Sequence, residues 1–209
     1  MNSLWCVLSA TARSQYGMVP FIELNGEQIA DSQIILYRLS EHFNIKPVSL
    51  PKDEAIARAI ERMVDAHTFL VLRHFIVVEN AGEFFTMILQ NMGCPEWLIP
   101  ICGPVAGFLL RGKVIKRIAA GVGLMSNENY REILRKDFDA LQTLLDQQKF
   151  FGGEHVTTTD CSVFGHLATT LYIPHDSYAK DLLKEQYPAL VEYCDRVKET
   201  VFGKEFASE

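Results

Sequence analysis

Two kinds of hydrophobic spacing divide the chain. Before about residue 46 the apolar residues come in short runs. "VPFIEL", Val19 to Leu24, is such a run and reads as a strand. Asn25-Gly26 follows, the favoured two-residue hairpin turn, because both positions need positive φ. "EQIA" is the returning strand. Asp31 and Ser32 then open a helix, their short polar side chains suited to accept bonds from its unpaired N–H groups. Ile35, Leu39 and Phe43 recur at helical spacing and give that helix one apolar face. "IKPVSLPKDE", with Pro47 and Pro51, reads as a linker.

From Asp53 onward the apolar period becomes helical. "DEAIARAIERMVDAHTFLVLRHFIVVE" places Ile56, Ile60, Met63 or Val64, and Leu70 on one face. "AGEFFTMILQNM" is a further helix, broken at Cys94-Pro95. "GKVIKRIAAGVG" follows, and then "NENYREILRKDFDALQTLLDQQ", with Ile133, Leu134, Phe138, Leu141 and Leu145 as its stripe. Gly152-Gly153 breaks the chain before "TTTDCSVFGHLATTLYI", and "YPALVEYCDRVKETVF" is the last helix. The expected architecture is α/β plus all-α: an N-terminal domain over 1–46, a linker over 47–52 and a helical domain over 53–209.

Composition narrows the class. Of 209 residues 48% are hydrophobic and 22% charged, enough to bury a core in a globular chain. The formal net charge of −6 argues against a nucleic-acid partner and against an electrostatic membrane anchor. Cys6, Cys94, Cys102, Cys161 and Cys194 are scattered, odd in number and without a CxxC pair, which fits free thiols in a reducing compartment. "WLIPICGPVAGFLL", Trp97 to Leu110, is the most membrane-like stretch, but a spanning helix needs about 20 apolar residues. Buried core or a bent helix is the expectation there. The N-terminus lacks the basic start and long apolar run of a signal peptide, so the expected location is the cytoplasm.

The chemistry concentrates around the hairpin. A proline opening a strand beside a cleft is often cis, which would turn Val19 N–H and C=O toward an extended ligand; an ordinary edge-strand Pro20 is the other reading. A helix N-terminus accepts a carboxylate through its unpaired N–H groups and partial positive charge. Ser32 can hold that carboxylate and Asp31 can pair with an ammonium beside it, which together suit an α-amino-acid head group; a plain helix cap is the alternative. Thr157 and Asp160 have capping-box spacing, with Val156 and Cys161 placed for a hydrophobic staple, a structural feature worth about 0.5–2 kcal/mol. His67 and His74 lie seven apart, whereas helical metal pairs sit about four apart, and Cys161 with His166 lacks a third ligand, so no metal site is expected.

"VPFIELNGEQIADSQIILYRL" resembles the second half of the thioredoxin-like domain of glutathione transferases. "RSQYGMVPFIELNGEQIADSQ" and "FFGGEHVTTTDCSVFGHLATTLYIP" are similar to one branch of that superfamily, the failed axon connections, cadmium-responsive and metaxin-like proteins. The resemblance runs from Arg13 to the C-terminus. It implies a glutathione-transferase-like helical domain and assigns Val19, Pro20, Asp31 and Ser32 to the γ-glutamyl end of a glutathione site. A thioredoxin-like domain begins with a βαβ unit of roughly 30 residues or more. Only 19 residues precede Pro20, room for one strand in "SLWCVLSA" and a loop in "TARSQYG". The expectation is therefore a partial thioredoxin-like domain, its first strand and helix missing, in a chain truncated at the N-terminus.

That missing segment supplies the thiolate-stabilising residue in transferases, and Cys6, Ser9 and Tyr16 read as packing or loop residues. The resemblance thus implies a non-catalytic protein that binds glutathione weakly or not at all and acts through protein contacts in stress response or neuronal development. Two alternatives are an active transferase conjugating glutathione to electrophiles, and a metaxin-like adaptor using "WLIPICGPVAGFLL" at a membrane interface. Members of the fold commonly dimerise, so a homodimer is compatible; no protein partner is named by the sequence.

Overall fold

A computed structural model of the protein describes residues 4–6, 14–45 and 50–203. The chain forms two compact units, Met1–Ser49 and Leu50–Glu209. In the first, β1 (Leu4–Cys6), β2 (Phe21–Leu24) and β3 (Glu27–Ala30) make an antiparallel sheet in the order β1-β2-β3. The register pairs Cys6 with Ile22 and Ile22 with Ile29. Asn25 and Gly26 turn the hairpin with φ of 54° and 85°, the left-handed geometry that Asn-Gly supplies at little cost. Helix α1 (Ser32–His42) follows. Ile22, Leu24, Ile29 and Ile35 form the buried cluster of this unit, with Leu39 packed against it. Phe43, expected on the same face, is exposed: it lies just past the last helical residue, where the face no longer continues.

The second unit is helical. Its first helix, α2 (Pro51–Met63), starts ahead of the expected position, because Pro51 suits a first helical turn, which needs no N–H. Pro51 and Lys52 therefore belong to the helix rather than to the linker, while 47–49 lie outside the described residues. Helical structure continues through a π-helical turn, Val64–Thr68, into α3 (Phe69–Arg73) and a second π turn, His74–Val78. Each π turn rotates the buried face. Ile56, read as core, stays partly exposed, whereas Val71, Leu72, Phe75 and Val77 are all buried.

Helix α4 (Ala81–Asn91) is followed by α5 (Ile99–Gly121), one helix that spans the two segments read separately and carries Pro104 inside it. The core expectation for Trp97–Leu110 fails on one face: Trp97, Ile101, Val105, Phe108 and Leu109, at helical spacing, are exposed, all at 60% or more. Gly103 and Gly107 occupy the opposite, buried face, and a Cβ at Gly107 would stand 3.2 Å from the Ala81 carbonyl oxygen. Among the described residues no helix is long and apolar enough to cross a membrane. The remaining helices are α6 (Asn127–Leu145), α7 (Thr158–Leu171), α8 (Tyr178–Gln186) and α9 (Pro188–Phe202). Leu134, Phe138, Leu141, Val163, Leu183 and Leu190 have no exposed surface and centre the core.

Candidate functional site

The loop leading to the Val-Pro pair is tied down by Ser14, which is buried. Its hydroxyl oxygen accepts from the backbone N–H of Tyr16 at 3.3 Å and of Met18 at 3.1 Å, and its own N–H donates to Met18 C=O at 3.1 Å. Gly17 sits inside this turn at φ 71°, a conformation that glycine takes freely. The Val19–Pro20 peptide is cis, the first of the two readings left open by the sequence. Val19 is half exposed and precedes the first ladder pair, Phe21 with Ala30. Ser14 carried no signal in the sequence beyond being a small polar residue in a short loop.

Asp31 is the N-cap of α1. Its Oδ1 accepts from the N–H of Gln33 at 3.0 Å and of Ile34 at 3.2 Å, and its carbonyl accepts from Ile35 N–H at 2.9 Å. The backbone there has φ 80° and ψ 124°, a region a non-glycine residue enters at a cost of about 1–3 kcal/mol. Ser32, the first helical residue, is exposed. Its N–H belongs to the group that has no partner inside a helix. The hairpin unit thus brings together a cis Val-Pro turn, a capping carboxylate and an open helix N-terminus. Such an end can accept a carboxylate group, and Asp31 Oδ2 can accept from an ammonium. Cys6 and Ser9 as candidates for the thiol end lie outside the described side chains, and Tyr16 is 68% exposed.

The helical unit holds a second polar constellation that sequence reading missed. Glu61, buried, accepts from the hydroxyls of Thr158 at 3.1 Å and Thr159 at 2.9 Å. Asp65 meets His166 Nε2 at 3.0 Å. Asp137, also buried, accepts from Thr68 Oγ1 at 2.7 Å and meets His67 Nδ1 at 2.9 Å. His74 Nε2 meets Asn127 Oδ1 at 2.9 Å. These pairs link α2 and the π turns to α6 and α7, so the histidines inspected as metal ligands engage protein partners instead. Among the described residues no group of three His, Cys, Asp or Glu is placed to hold a metal ion.

The capping box of α7 is present, but it is larger than a cap. Asp160 is fully buried; its Oδ2 accepts from Thr157 N–H at 2.9 Å and Thr157 Oγ1 at 2.8 Å, and its Oδ1 accepts from Phe151 N–H at 2.8 Å and the Tyr193 hydroxyl at 3.0 Å. Of the two residues placed for a hydrophobic staple, Val156 packs against the core and Cys161 is exposed. Gly152 is required beside it: a Cβ there would lie 2.2 Å from Thr157 Cγ2 and 2.8 Å from the His155 carbonyl oxygen. Cys94, Cys102, Cys161 and Cys194 are free thiols. Burial, with the charges of Asp160 and Glu61, pushes the Cys161 thiol up, and burial pushes Cys194 up to about 12, so neither is an activated nucleophile.

Residues 4–82 match the family Glutathione S-transferase N-terminal domain, and residues 134–197 match Glutathione S-transferase, C-terminal domain. The chain is 28% identical over 200 residues to Failed axon connections of Drosophila melanogaster, an alignment that covers 91% of this chain and 48% of that protein. It is 25% identical over 195 residues to Isoprene-epoxide--glutathione S-transferase of Rhodococcus sp. (strain AD45), covering 88% of this chain and 78% of the enzyme. A Metaxin-1 homolog of Caenorhabditis briggsae is 34% identical over 85 residues, 39% of this chain and 27% of that protein. The chain therefore spans about half the length of the Failed axon connections protein. No solved structure matches.

Proposed function

We propose, for a chain that belongs to the glutathione-transferase-like superfamily in its Failed axon connections and metaxin-like branch, a non-catalytic role exerted through protein contacts. The observation that carries this reading is the exposed apolar face of α5, Ile101, Val105, Phe108 and Leu109, with Trp97 in the turn just ahead of it. Single exposed apolar residues are ordinary, whereas a contiguous stripe of five marks an interaction surface. Stress response and neuronal development are the settings that the Failed axon connections relationship suggests. The hairpin unit keeps the head-group end of a glutathione site: Ser32 receives the γ-glutamyl carboxylate, Asp31 pairs with its ammonium, and Val19, ahead of Pro20, offers backbone groups to the peptide. Asp31 already spends one carboxylate oxygen on its own helix, which supports weak binding.

The similarity to a glutathione transferase that acts on isoprene epoxide favours a second reading, conjugation of glutathione to an electrophile. Immobilised glutathione and turnover of a generic electrophile separate the two. Retention that is weak, without turnover, is the expected outcome. Turnover that survives substitution of Cys6, Ser9 and Tyr16 but is lost in Asp31→Ala with Ser32→Ala would overturn the non-catalytic role. A metaxin-like adaptor would instead lay the α5 face on a bilayer. Flotation with vesicles tests that reading, and recovery of all the protein away from the lipid ends it.

A further inference from the structure

A cleft of about 810 Å3 opens in the helical unit between α4, the first half of α5 and the loop ahead of α8. The glutathione reading makes no use of it. Met87, Ile99 and Pro104 give it apolar walls, with Glu83 and His175 among its few polar groups. Small-molecule sites have this character: volumes of roughly 300–1,000 Å3, apolar walls and a few polar groups that orient the ligand.

His175 supplies an independent sign. Both its ring nitrogens are buried, and neither has a hydrogen-bond partner. Unpartnered buried nitrogens are rare because they forfeit the bonds they made to water. The torsion that turns an imidazole about its Cβ–Cγ bond is broad, so a rotation delivers a nitrogen to the cleft once a partner is there to meet it. Glu83 sets the charge of that partner. It is exposed at the cleft, and among the described lining residues none is Lys or Arg, so the fixed charge is negative. A carboxylate or phosphate would meet Glu83 without a counter-ion. A neutral alcohol would gain only His175.

We propose that this cleft binds a small apolar amine, its hydrocarbon against Met87, Ile99 and Pro104 and its ammonium donating to the Glu83 carboxylate and a rotated His175 nitrogen. Octylamine, octanol and octanoate, equal in chain length, are the probes, titrated calorimetrically into the full chain. Octylamine binds about three- to five-fold tighter than octanol, as one exposed ion pair allows, and octanoate binds more weakly than either. Glu83→Gln brings octylamine down to the level of octanol and leaves octanol unchanged. His175→Phe weakens both.

Gly82 and Gly103 line the cleft and allow it to be filled. A Cβ at Gly82 meets nothing within 4 Å, and the residue is an exposed helical position. Gly82→Phe therefore blocks the opening, abolishes binding of all three probes and, with better helix propensity, does not lower the Tm of the unliganded chain. Gly103→Ala, whose Cβ has ordinary 3.8 Å contacts to Ile99 and Thr86, narrows the cleft and weakens binding of all three probes, and it carries the test should Gly82→Phe perturb folding. No heat or thermal shift with octylamine, octanoate binding as tightly as octylamine, or binding unchanged in both glycine variants overturns the proposal.

Discussion

Two helices of this molecule have an aspartate that caps their first turn, Asp31 as the N-cap of α1 and Asp160 at the third position of α7, and the two are built to opposite ends. Asp160 of α7 is fully buried, and both its oxygens are taken, by two backbone N–H groups and two hydroxyls. Through Phe151 and Tyr193 it also ties the Gly152-Gly153 turn and α9 to the helix. Asp31 of α1 is only half buried, uses Oδ1 for its helix, and sits at a left-handed φ of 80° beside an exposed Ser32. The same chemistry gives an anchor when water is excluded and every lone pair is used. It gives an exchangeable, strained position when one oxygen and a helix N–H still face solvent. That contrast separates structure from candidate function more clearly than residue type does.

Asp160→Ala should break the contrast with the largest effect. The substitution strands the partly buried N–H groups of Phe151 and Thr157, at about 1–3 kcal/mol each, and leaves the Tyr193 hydroxyl only its longer 3.3 Å bond to the residue-160 carbonyl. A loss of more than about 3 kcal/mol in urea or thermal unfolding is expected, against about 0.5–2 for an ordinary cap. Asp160→Asn, which keeps one oxygen acceptor, should recover about half of it. A loss inside the ordinary range would reduce Asp160 to a cap and remove the distinction drawn from Asp31.

Alkaline titration gives a smaller effect on the same buried side of the comparison, because Tyr193, which bonds to Asp160, and its chain neighbour Cys194 are both buried acids. Burial, then the charge of Asp195, raises the Cys194 thiol from 9.0 to about 12. The unfolded chain gives up that proton first, so the folded state binds more protons between those values. Stability is therefore full below about pH 9 and falls as pH rises toward about 12, by up to about 1.4 kcal/mol per pH unit for this one group. Burial and the charge of Asp160 also push the Tyr193 hydroxyl up, from an ordinary 10.0, and act in the same sense at higher pH. Cys194→Ala should move the onset of the fall toward pH 10, where tyrosine takes over. An onset unchanged in that variant would remove Cys194 from the account.

Local signals made much of this legible. Asn25-Gly26 fixes the hairpin because few residues take two positive φ values in succession, and Asp31 and the Thr157–Asp160 spacing mark helix starts by the donors left free there. What escaped was non-local or symmetric. The partners that enlarge the Asp160 site, Phe151 and Tyr193, lie 9 and 33 residues away, and no spacing rule connects them. The α5 segment is apolar on nearly all sides, so its pattern could not say which side is covered; the glycines at 103 and 107 pack, and the larger side chains face out. Along α2 and α3 the expected face is right for Ile60, Val64 and Leu70 and wrong for the exposed Ile56, and it misses the buried Val71, Leu72, Phe75 and Val77, because two π turns shift the face and bury residues on several sides. Ser14, which holds the loop before Val19, works through a turn too short to leave a pattern.

The smallest effect on stability bears most directly on the head-group site. Asp31→Ala loses the cap and keeps a Cβ at φ 80°, and should cost about 1–2 kcal/mol. Asp31→Gly loses the same carboxylate but takes the positive φ freely, and glycine as an N-cap is only a few tenths of a kcal/mol worse than aspartate, so thermal unfolding should barely change. The glycine variant therefore removes the charge while leaving the hairpin and helix in place. Retention on immobilised glutathione should fall in both variants alike, although only the alanine variant is destabilised. If the glycine variant is retained as well as the parent chain, the Asp31 carboxylate serves α1 alone. The difference between the two aspartates would then be one of burial, with no ligand behind it.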